Sequence, residues 1–144
     1  MRYRLLAACA ALLTGAAARA QTPPHSVLHS VVIRPDSARS TGTSATGSSR
    51  SLIDTVTATL GRLESHVTKL APGMQSHAPH RHVAEEVIIL VRGTLDVIQG
   101  DAVRRAPAGS LIFMASNEPH AVKNVGADTA MYYVVQPQPK TGAP

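Results

Sequence analysis

The chain has 144 residues, of which 44% are apolar, and a formal net charge of +5. This length suits one modest domain, and the apolar content is too low for several membrane spans. Three of the 14 basic residues and none of the nine acidic residues lie in the first 20 positions. The remainder therefore carries a charge of +2, which does not favour a nucleic-acid partner.

The first 20 residues have the pattern of a secretory signal peptide. Arg2 and Arg4 precede an Ala/Leu-rich stretch that is too short to cross a bilayer, and Ala18-Arg19-Ala20 fits a small-x-small cleavage site. We therefore expect cleavage after Ala20 and a periplasmic or secreted protein without a stable membrane anchor.

The sequence Leu6-Ala7-Ala8-Cys9 resembles a lipoprotein signal and is the alternative for this leader, although it leaves almost no apolar segment ahead of Cys9. With cleavage after Ala20 the only cysteine is lost. The exported domain would then lack thiol ligands and disulfides, so packing, a metal or association must stabilise it.

Residues 21–51 form an N-terminal segment of different texture. After the small apolar piece at 27–33, residues 34–51, "RPDSARSTGTSATGSSRS", are rich in Ser, Thr and Gly and contain almost no large apolar side chain. Such a composition buries too little apolar surface to offset the conformational entropy that the segment would lose on folding. It predicts a flexible linker or long loop, whose role the sequence leaves open.

Residues 52–137 have the pattern of one all-β unit, followed by a C-terminal tail at 138–144. Alternating or β-branched segments predict strands at "TVTATL", "RLESHVTKL", "EEVIILV", "TLDVIQ", "SLIFMA", "HAVKNV" and "AMYYVVQ", with Gly, Pro and Asn turn signals between them. Short strands at this spacing favour an antiparallel sandwich or a small barrel.

One of these strands begins beside a group of histidines. In "HAPHRHVAEEVIILVRG", residues 77–93, the side chains of His80, His82 and Glu86 project to one side of an extended backbone, whereas Glu85 projects to the other. The aliphatic run that follows is apolar on both faces, so both faces should be covered. A carboxylate in such surroundings needs a partner, and a metal cation is the usual one when neutral imidazoles converge with it.

These residues resemble the two sequence motifs of the cupins. The first motif is matched by His80-x-His82-x3-Glu86-x6-Gly93, with Gly73 one residue further upstream than the pattern expects. The second is matched by Gly109, His120 and Asn124 at their expected offsets, whereas Ala115 replaces the usual Pro and Asn117 the usual Gly. Asn tolerates a left-handed backbone, so that change is mild. The resemblance covers about residues 63–135.

The resemblance implies a small jelly-roll β-barrel of the cupin type with a metal inside. Carried over by position, the ligands are His80, His82, Glu86 and His120. This donor set suits one divalent transition metal, namely Mn, Fe, Co, Ni, Cu or Zn, and does not choose among them. The alternative is that the four groups are merely hydrogen-bonded polar residues of the core.

Three further side chains have open roles. His66 alternates with Glu64 and Thr68, so it either lines the cavity as a catalytic base or faces solvent on an edge strand. His77 either approaches the metal or lies in a solvated loop. Asn124 is expected to make a hydrogen bond that fixes local structure.

The expected function is that of an exported metal-binding cupin, acting as a metal-dependent enzyme on a small polar molecule at open metal positions. The resemblance leaves oxygenase, decarboxylase, isomerase and hydrolase activities open. The alternatives are a non-catalytic periplasmic module that binds a metal or small ligand, and a structural or storage role. We also expect a homodimer formed through the apolar terminal strand "AMYYVVQ".

Overall fold

A computed structural model of the protein describes residues 27–140. The predicted signal peptide, its alternative and the last four residues of the chain lie outside this range. Within it, no helix has the length and hydropathy needed to cross a membrane.

The described chain forms nine β-strands arranged in two antiparallel sheets. The strands are β1 (Arg39–Ser44), β2 (Gly47–Thr55), β3 (Leu60–Leu70), β4 (Glu86–Arg92), β5 (Thr94–Gln99), β6 (Ala102–Pro107), β7 (Leu111–Met114), β8 (His120–Asn124) and β9 (Ala130–Pro139). The larger sheet has the order β1-β2-β3-β9-β4-β7, and the smaller has the order β6-β5-β8. The predicted all-β jelly-roll barrel is confirmed.

A hydrophobic core lies between the two sheets. The larger sheet contributes Ile88 and Leu90 from β4, and the smaller contributes Leu95 and Val97 from β5. In β7, Ile112 and Met114 face inward. This settles which pair of that strand is buried, a choice that periodicity alone leaves open.

The outer face of β4 differs from the prediction. The sequence indicates that both faces are covered, but Ile89 and Val91 are 43% and 47% exposed. The inner face alone packs against the opposite sheet, so the outer apolar side chains remain at the surface.

The segment predicted to be a flexible linker over residues 34–51 contains an ordered hairpin instead. β1 pairs with β2, and β2 pairs with β3 along nearly its whole length, from Gly47↔Leu70 to Thr55↔Leu63. Backbone hydrogen bonds to an existing sheet edge do not require large side chains, which explains why composition failed to indicate these strands. The barrel sheet therefore begins near residue 39, earlier than the predicted 52.

The segment "TVTATL", residues 55–60, is a turn and not a strand. Thr55 ends β2 and Leu60 begins β3. The Leu60 amide donates to Thr57 Oγ1 at 3.0 Å, and the Thr57 amide donates to the Leu60 carbonyl at 3.1 Å. These local bonds close the hairpin where β propensity predicted a continuous strand.

The terminal strand β9 lies inside the larger sheet and not at its edge. It pairs with β3 over ten residue pairs and with β4 from Val87↔Val135 to Arg92↔Met131. The prediction of an open terminal edge is therefore wrong, because both edges of β9 are covered. The edges of this sheet are β1 and β7.

Candidate metal centre

The three histidines of the predicted site meet where the loop between β3 and β4 crosses β8. His80 and His120 form an isolated antiparallel bridge, with amide to carbonyl distances of 3.2 and 2.9 Å. Between His82 and β4 the chain bends at residues 83–84 and does not continue as a regular strand. The predicted convergence of His82 with Glu86 is nevertheless present, since their Nε2 and Oε2 atoms are 3.4 Å apart.

The three imidazoles have a geometry that fits a single cation. One potential ligand atom from each of His80, His82 and His120 lies within 4.8 Å of the others. Two nitrogens bound to one transition metal at about 2.1 Å can be at most about 4.2 Å apart, so small side-chain rotations bring this set into bonding range. In addition, His120 Nε2 is buried and has no hydrogen-bond partner. A buried nitrogen without a partner is costly, and a metal would satisfy it.

Backbone carbonyls orient two of the rings. His82 Nδ1 lies 2.8 Å from the Ala84 carbonyl, and His120 Nδ1 lies 2.8 Å from the Glu118 carbonyl. A carbonyl oxygen only accepts, so each Nδ1 carries the proton and donates it. In a neutral ring the lone pair then lies on Nε2, which is the form of histidine that binds a metal. His120 Nε2 has no partner, whereas His82 Nε2 lies 3.4 Å from Gln136 Nε2.

A fourth histidine, His77, contacts the Nδ1 side of His80. His80 Nδ1 and His77 Nδ1 are 3.0 Å apart, and the two rings meet edge to face. Desolvation, followed by the neighbouring imidazoles of His77, His120 and His82, lowers the pKa of His80. A lowered pKa keeps His80 neutral, as a metal ligand must be. His77 thus lies at the Nδ1 side of His80, outside the set of converging ligand atoms.

Glu86 lies beside this set without belonging to it. The residue is buried, whereas Glu85 is exposed, as the strand period predicts. Glu86 Oε2 accepts a hydrogen bond of 2.6 Å from Gln136 Nε2. The carboxylate is thus close to His82, and its role as a fourth ligand stays a prediction.

The histidine cluster opens onto a cavity of about 540 Å³ inside the barrel. His80, Glu86 and His120 form part of its wall. The Ser/Thr-rich hairpin forms another part through residues 42–44 and 46–49. The segment predicted to be a linker thus supplies hydroxyl groups to the cavity that holds the histidines.

His66 also lines this cavity. Its Nδ1 lies 2.9 Å from Glu64 Oε1. The alternative of an edge strand is excluded, because β3 lies between β2 and β9. Glu64 was not predicted to have a role, although its spacing of two from His66 on a strand indicates a shared face. Its second oxygen, Oε2, is buried without a partner.

Tyr132 is a further cavity residue that the sequence did not indicate. It is only 3% exposed. Burial raises the pKa of Tyr132 to about 12, and hydrogen bonds with Thr68 and Ser76 act in the opposite direction. The hydroxyl therefore stays protonated at neutral pH and can donate to an oxygen atom of a bound molecule.

Two asparagines of the second motif support the site. Asn117 has a φ of 59°, and its amide donates to the His82 carbonyl at 2.8 Å. Asn124 is fully buried and bonds the Leu70 carbonyl, the Asp128 carbonyl and the Gly126 amide. The predicted structural role of Asn124 is confirmed, as is the left-handed backbone at Asn117.

Comparisons with known proteins agree with this architecture. The sequence model of the cupin domain family matches residues 66–136. No curated protein matches the chain in sequence.

Several solved structures share the fold. The polyketide cyclase RemF from Streptomyces resistomycificus superposes with a TM-score of 0.63 at 21% identity, covering 76% of this chain and 80% of its own. KdgF from Halomonas sp. gives a TM-score of 0.62 at 14% identity, with 78% and 97% covered. A predicted oxalate decarboxylase from Thermotoga maritima gives 0.60 at 18% identity, with 75% and 99% covered.

At these identities the structural likeness shows the fold alone. The family match adds the sequence evidence, since it spans the strands that carry His66, Glu86 and His120. Two antiparallel sheets enclose a cavity with three converging histidines, and both motifs lie at its wall. Residues 66–136 of the chain therefore form a cupin domain.

Proposed function

We propose that this protein is a metal-dependent enzyme, working in the periplasm or outside the cell, that acts on a small polar molecule bound in its barrel. Export rests on the leader-like first 20 residues. Catalysis rests on the cavity, which is lined both by residues of the histidine cluster and by the separate imidazole of His66.

The strongest support for the proposal comes from the histidine cluster. Three imidazoles converge beside a cavity, and one of their nitrogens, His120 Nε2, is buried with no partner. A purely structural cluster would satisfy this atom with another protein group. We infer that His80, His82 and His120 hold a divalent transition metal and that Glu86 is the fourth ligand.

A metal held here would act as a Lewis acid that polarises an oxygen of the bound molecule, or as a platform for dioxygen. The protein's own groups supply orientation and proton transfer. Tyr132 lines the cavity, and its protonated hydroxyl can donate a hydrogen bond to a bound molecule. The Ser/Thr hairpin adds further hydroxyl groups, which suit a ligand rich in oxygen atoms.

His66 is the proposed acid–base residue. With Nδ1–H donated to Glu64, its Nε2 is free to accept a proton from the bound molecule. The Glu64 carboxylate then lies beside the imidazolium that forms and offsets its charge. Glu64 is accordingly a positioning residue that acts through His66.

The similar structures leave the reaction open. A polyketide cyclase and a predicted oxalate decarboxylase share the fold, and their names indicate different chemistry. A non-catalytic module that binds a metal or small ligand is the competing function. It predicts metal and ligand binding without any turnover that depends on His66.

Elemental analysis of the purified protein tests the centre. Wild type should contain about one transition metal per chain. His82→Ala should contain much less, because loss of one protein ligand weakens metal binding. His29→Ala is the matched control, since His29 is exposed and lies outside the cavity lining. Equal metal content in wild type and His82→Ala would contradict the assigned ligands.

Turnover is tested by screening small hydroxy, keto and carboxylic acids against the metal-loaded protein. His66→Gln should lower kcat while leaving metal content unchanged. Stoichiometric binding of a compound with no turnover in the wild type would favour the binding module. N-terminal sequencing of the exported protein should begin at Gln21, and a retained leader would count against export.

A further inference from the structure

Gln136 occupies a position between two groups of the candidate metal centre. Its side-chain nitrogen Nε2 lies 2.6 Å from Glu86 Oε2 and 3.4 Å from His82 Nε2. The residue is half-buried and lines the same cavity. Neither motif of the sequence includes it.

The hydrogen-bond chemistry decides how the amide is oriented. His82 donates Nδ1–H to the Ala84 carbonyl, so Nε2 is the acceptor of the neutral ring that a metal would bind. Glu86 is also an acceptor when ionised. The Gln136 amino group carries two N–H donors, one for each of these atoms. The reverse amide orientation would set a carbonyl oxygen against a carboxylate oxygen and a lone pair, which is repulsive.

The strand that carries Gln136 is paired with a neighbouring strand on each side. β9 is paired with β3 on one side and with β4 on the other. Gln136 lies directly opposite Glu64 of β3, and its neighbour Val135 lies opposite Val87 of β4. A side chain on a doubly paired strand has little freedom to shift, so the amide can fix the position of a flexible carboxylate.

We propose that Gln136 is a positioning residue that holds the Glu86 carboxylate beside His82 and thereby adds an oxygen ligand to the three imidazoles. This inference rests on the proposed role of Glu86 as fourth ligand. Its consequence is metal preference, because a carboxylate oxygen suits Mn²⁺ whereas imidazoles alone suit Zn²⁺ well. Gln136 therefore biases the centre toward metals that favour oxygen.

The test is titration of the metal-free protein with Mn²⁺ alone and with Zn²⁺ alone. Gln136→Met keeps nearly the same shape but has no N–H donor. We expect its Mn²⁺ affinity to fall about 10- to 100-fold, the usual effect of removing a group that orients a ligand. The Zn²⁺ affinity should fall less, so the ratio of the two affinities changes.

The matched control is Gln138→Met, on the same strand and outside the cavity lining. It should leave both affinities unchanged. Gln136→Asn is a second variant that keeps the polar group but is too short to reach Glu86, and it should behave like Gln136→Met. Thermal unfolding of each metal-free variant shows whether it folds as the wild type does.

The visible spectrum of bound Co²⁺ gives a readout that a merely structural role would not change. If Gln136 acts through Glu86, the Co²⁺ spectra of Gln136→Met and Glu86→Gln should resemble each other and differ from that of the wild type. Gln138→Met should retain the wild-type spectrum.

Glu86→Gln separates failure of this inference from failure of the proposed ligand set. Unchanged Mn²⁺ affinity in Glu86→Gln would remove Glu86 from the ligands and the inference with it. Weakened binding in Glu86→Gln, together with unchanged or tighter binding in Gln136→Met, would overturn the role of Gln136 alone. Tighter binding would mean that the amide competes with the metal for His82 and Glu86.

Discussion

At the scale of single residues, the site combines hydrogen-bond acceptors and donors. His82 and His120 each donate Nδ1–H to a backbone carbonyl, so the lone pair of a neutral ring lies on Nε2. Tyr132 presents the opposite character, since burial keeps its hydroxyl protonated. Each group has one defined hydrogen-bonding role, which favours binding of a molecule in a single orientation.

The raised pKa of Tyr132 predicts a loss of stability in alkaline solution. The pKa is about 12 in the folded protein, against 10.0 for an ordinary tyrosine. The contribution of Tyr132 to the free energy of unfolding is therefore fully present below pH 10 and is lost as pH rises from 10 towards 12. The reason is that the tyrosine of the unfolded chain releases its proton at lower pH than that of the folded protein. Two pKa units correspond to about 3 kcal/mol. Urea unfolding between pH 8.5 and 11.5 measures this loss of stability.

Tyr132→Phe should lack this component of the alkaline loss, and Tyr133→Phe should keep it because Tyr132 is still present. At pH 8, Tyr132→Phe should lose about 1 kcal/mol of unfolding free energy, the usual value of a buried hydrogen bond. Identical alkaline profiles for wild type and Tyr132→Phe would contradict the assignment.

At the scale of elements, the chain changes from one sheet to the other at Gly93, between β4 and β5. Gly93 has a φ of +95°, and a Cβ added to it would lie 2.8 Å from both Cα and Cβ of Ala130. The first residue of β9 thus packs directly against the backbone at this crossing. Only glycine satisfies both the conformation and the space, which explains its place at the end of the first motif.

Gly93→Ala should destabilise the protein more than Gly100→Ala. Gly100 has a φ of +57°, but a Cβ added there meets no atom within 4 Å. Its substitution should cost only backbone strain, about 1 kcal/mol, whereas Gly93→Ala adds a clash with Ala130. Denaturant unfolding of both variants measures the difference. Equal losses would show that the approach of Ala130 is relaxed without cost.

At the scale of the whole molecule, the outer face of the larger sheet is apolar at one edge. Ile89 of β4 lies opposite Leu111 of the edge strand β7, and Val87 lies opposite Phe113. Leu111 is 69% exposed and Phe113 is 49% exposed. Adjacent exposed apolar side chains on an edge strand are typical of an interaction surface.

We predict that this face joins two copies of the chain, as a homodimer. The surface differs from the strand that the sequence suggested, because β9 is covered on both edges and β7 is not. Light scattering of the purified protein at micromolar concentration should show a dimer, and Leu111→Glu should give a monomer. Val103→Glu, on the smaller sheet, is the control. A monomeric wild type would contradict the prediction.

The candidate ligands were predictable because their information is local. The period of an extended strand grouped His80, His82 and Glu86 and set Glu85 apart. The grouping holds although the chain bends at residues 83–84 and is not a regular strand there. The offset of His120 from Gly109 came from the resemblance to the cupins. The alternating and β-branched segments likewise predicted the all-β class, since a two-residue period needs no knowledge of strand neighbours.

The sequence by itself determined the strands with apolar side chains, the tight positions that need glycine or asparagine, and the histidines that approach one another. Only the tertiary structure decided that Gln136 and Tyr132 enter the same cavity, that the polar hairpin of residues 39–55 extends the sheet, and that β9 lies inside it. Sheet order and register join residues that are far apart in the chain. Backbone hydrogen bonds, which are the same for every residue except proline, form these pairings and leave little trace in composition.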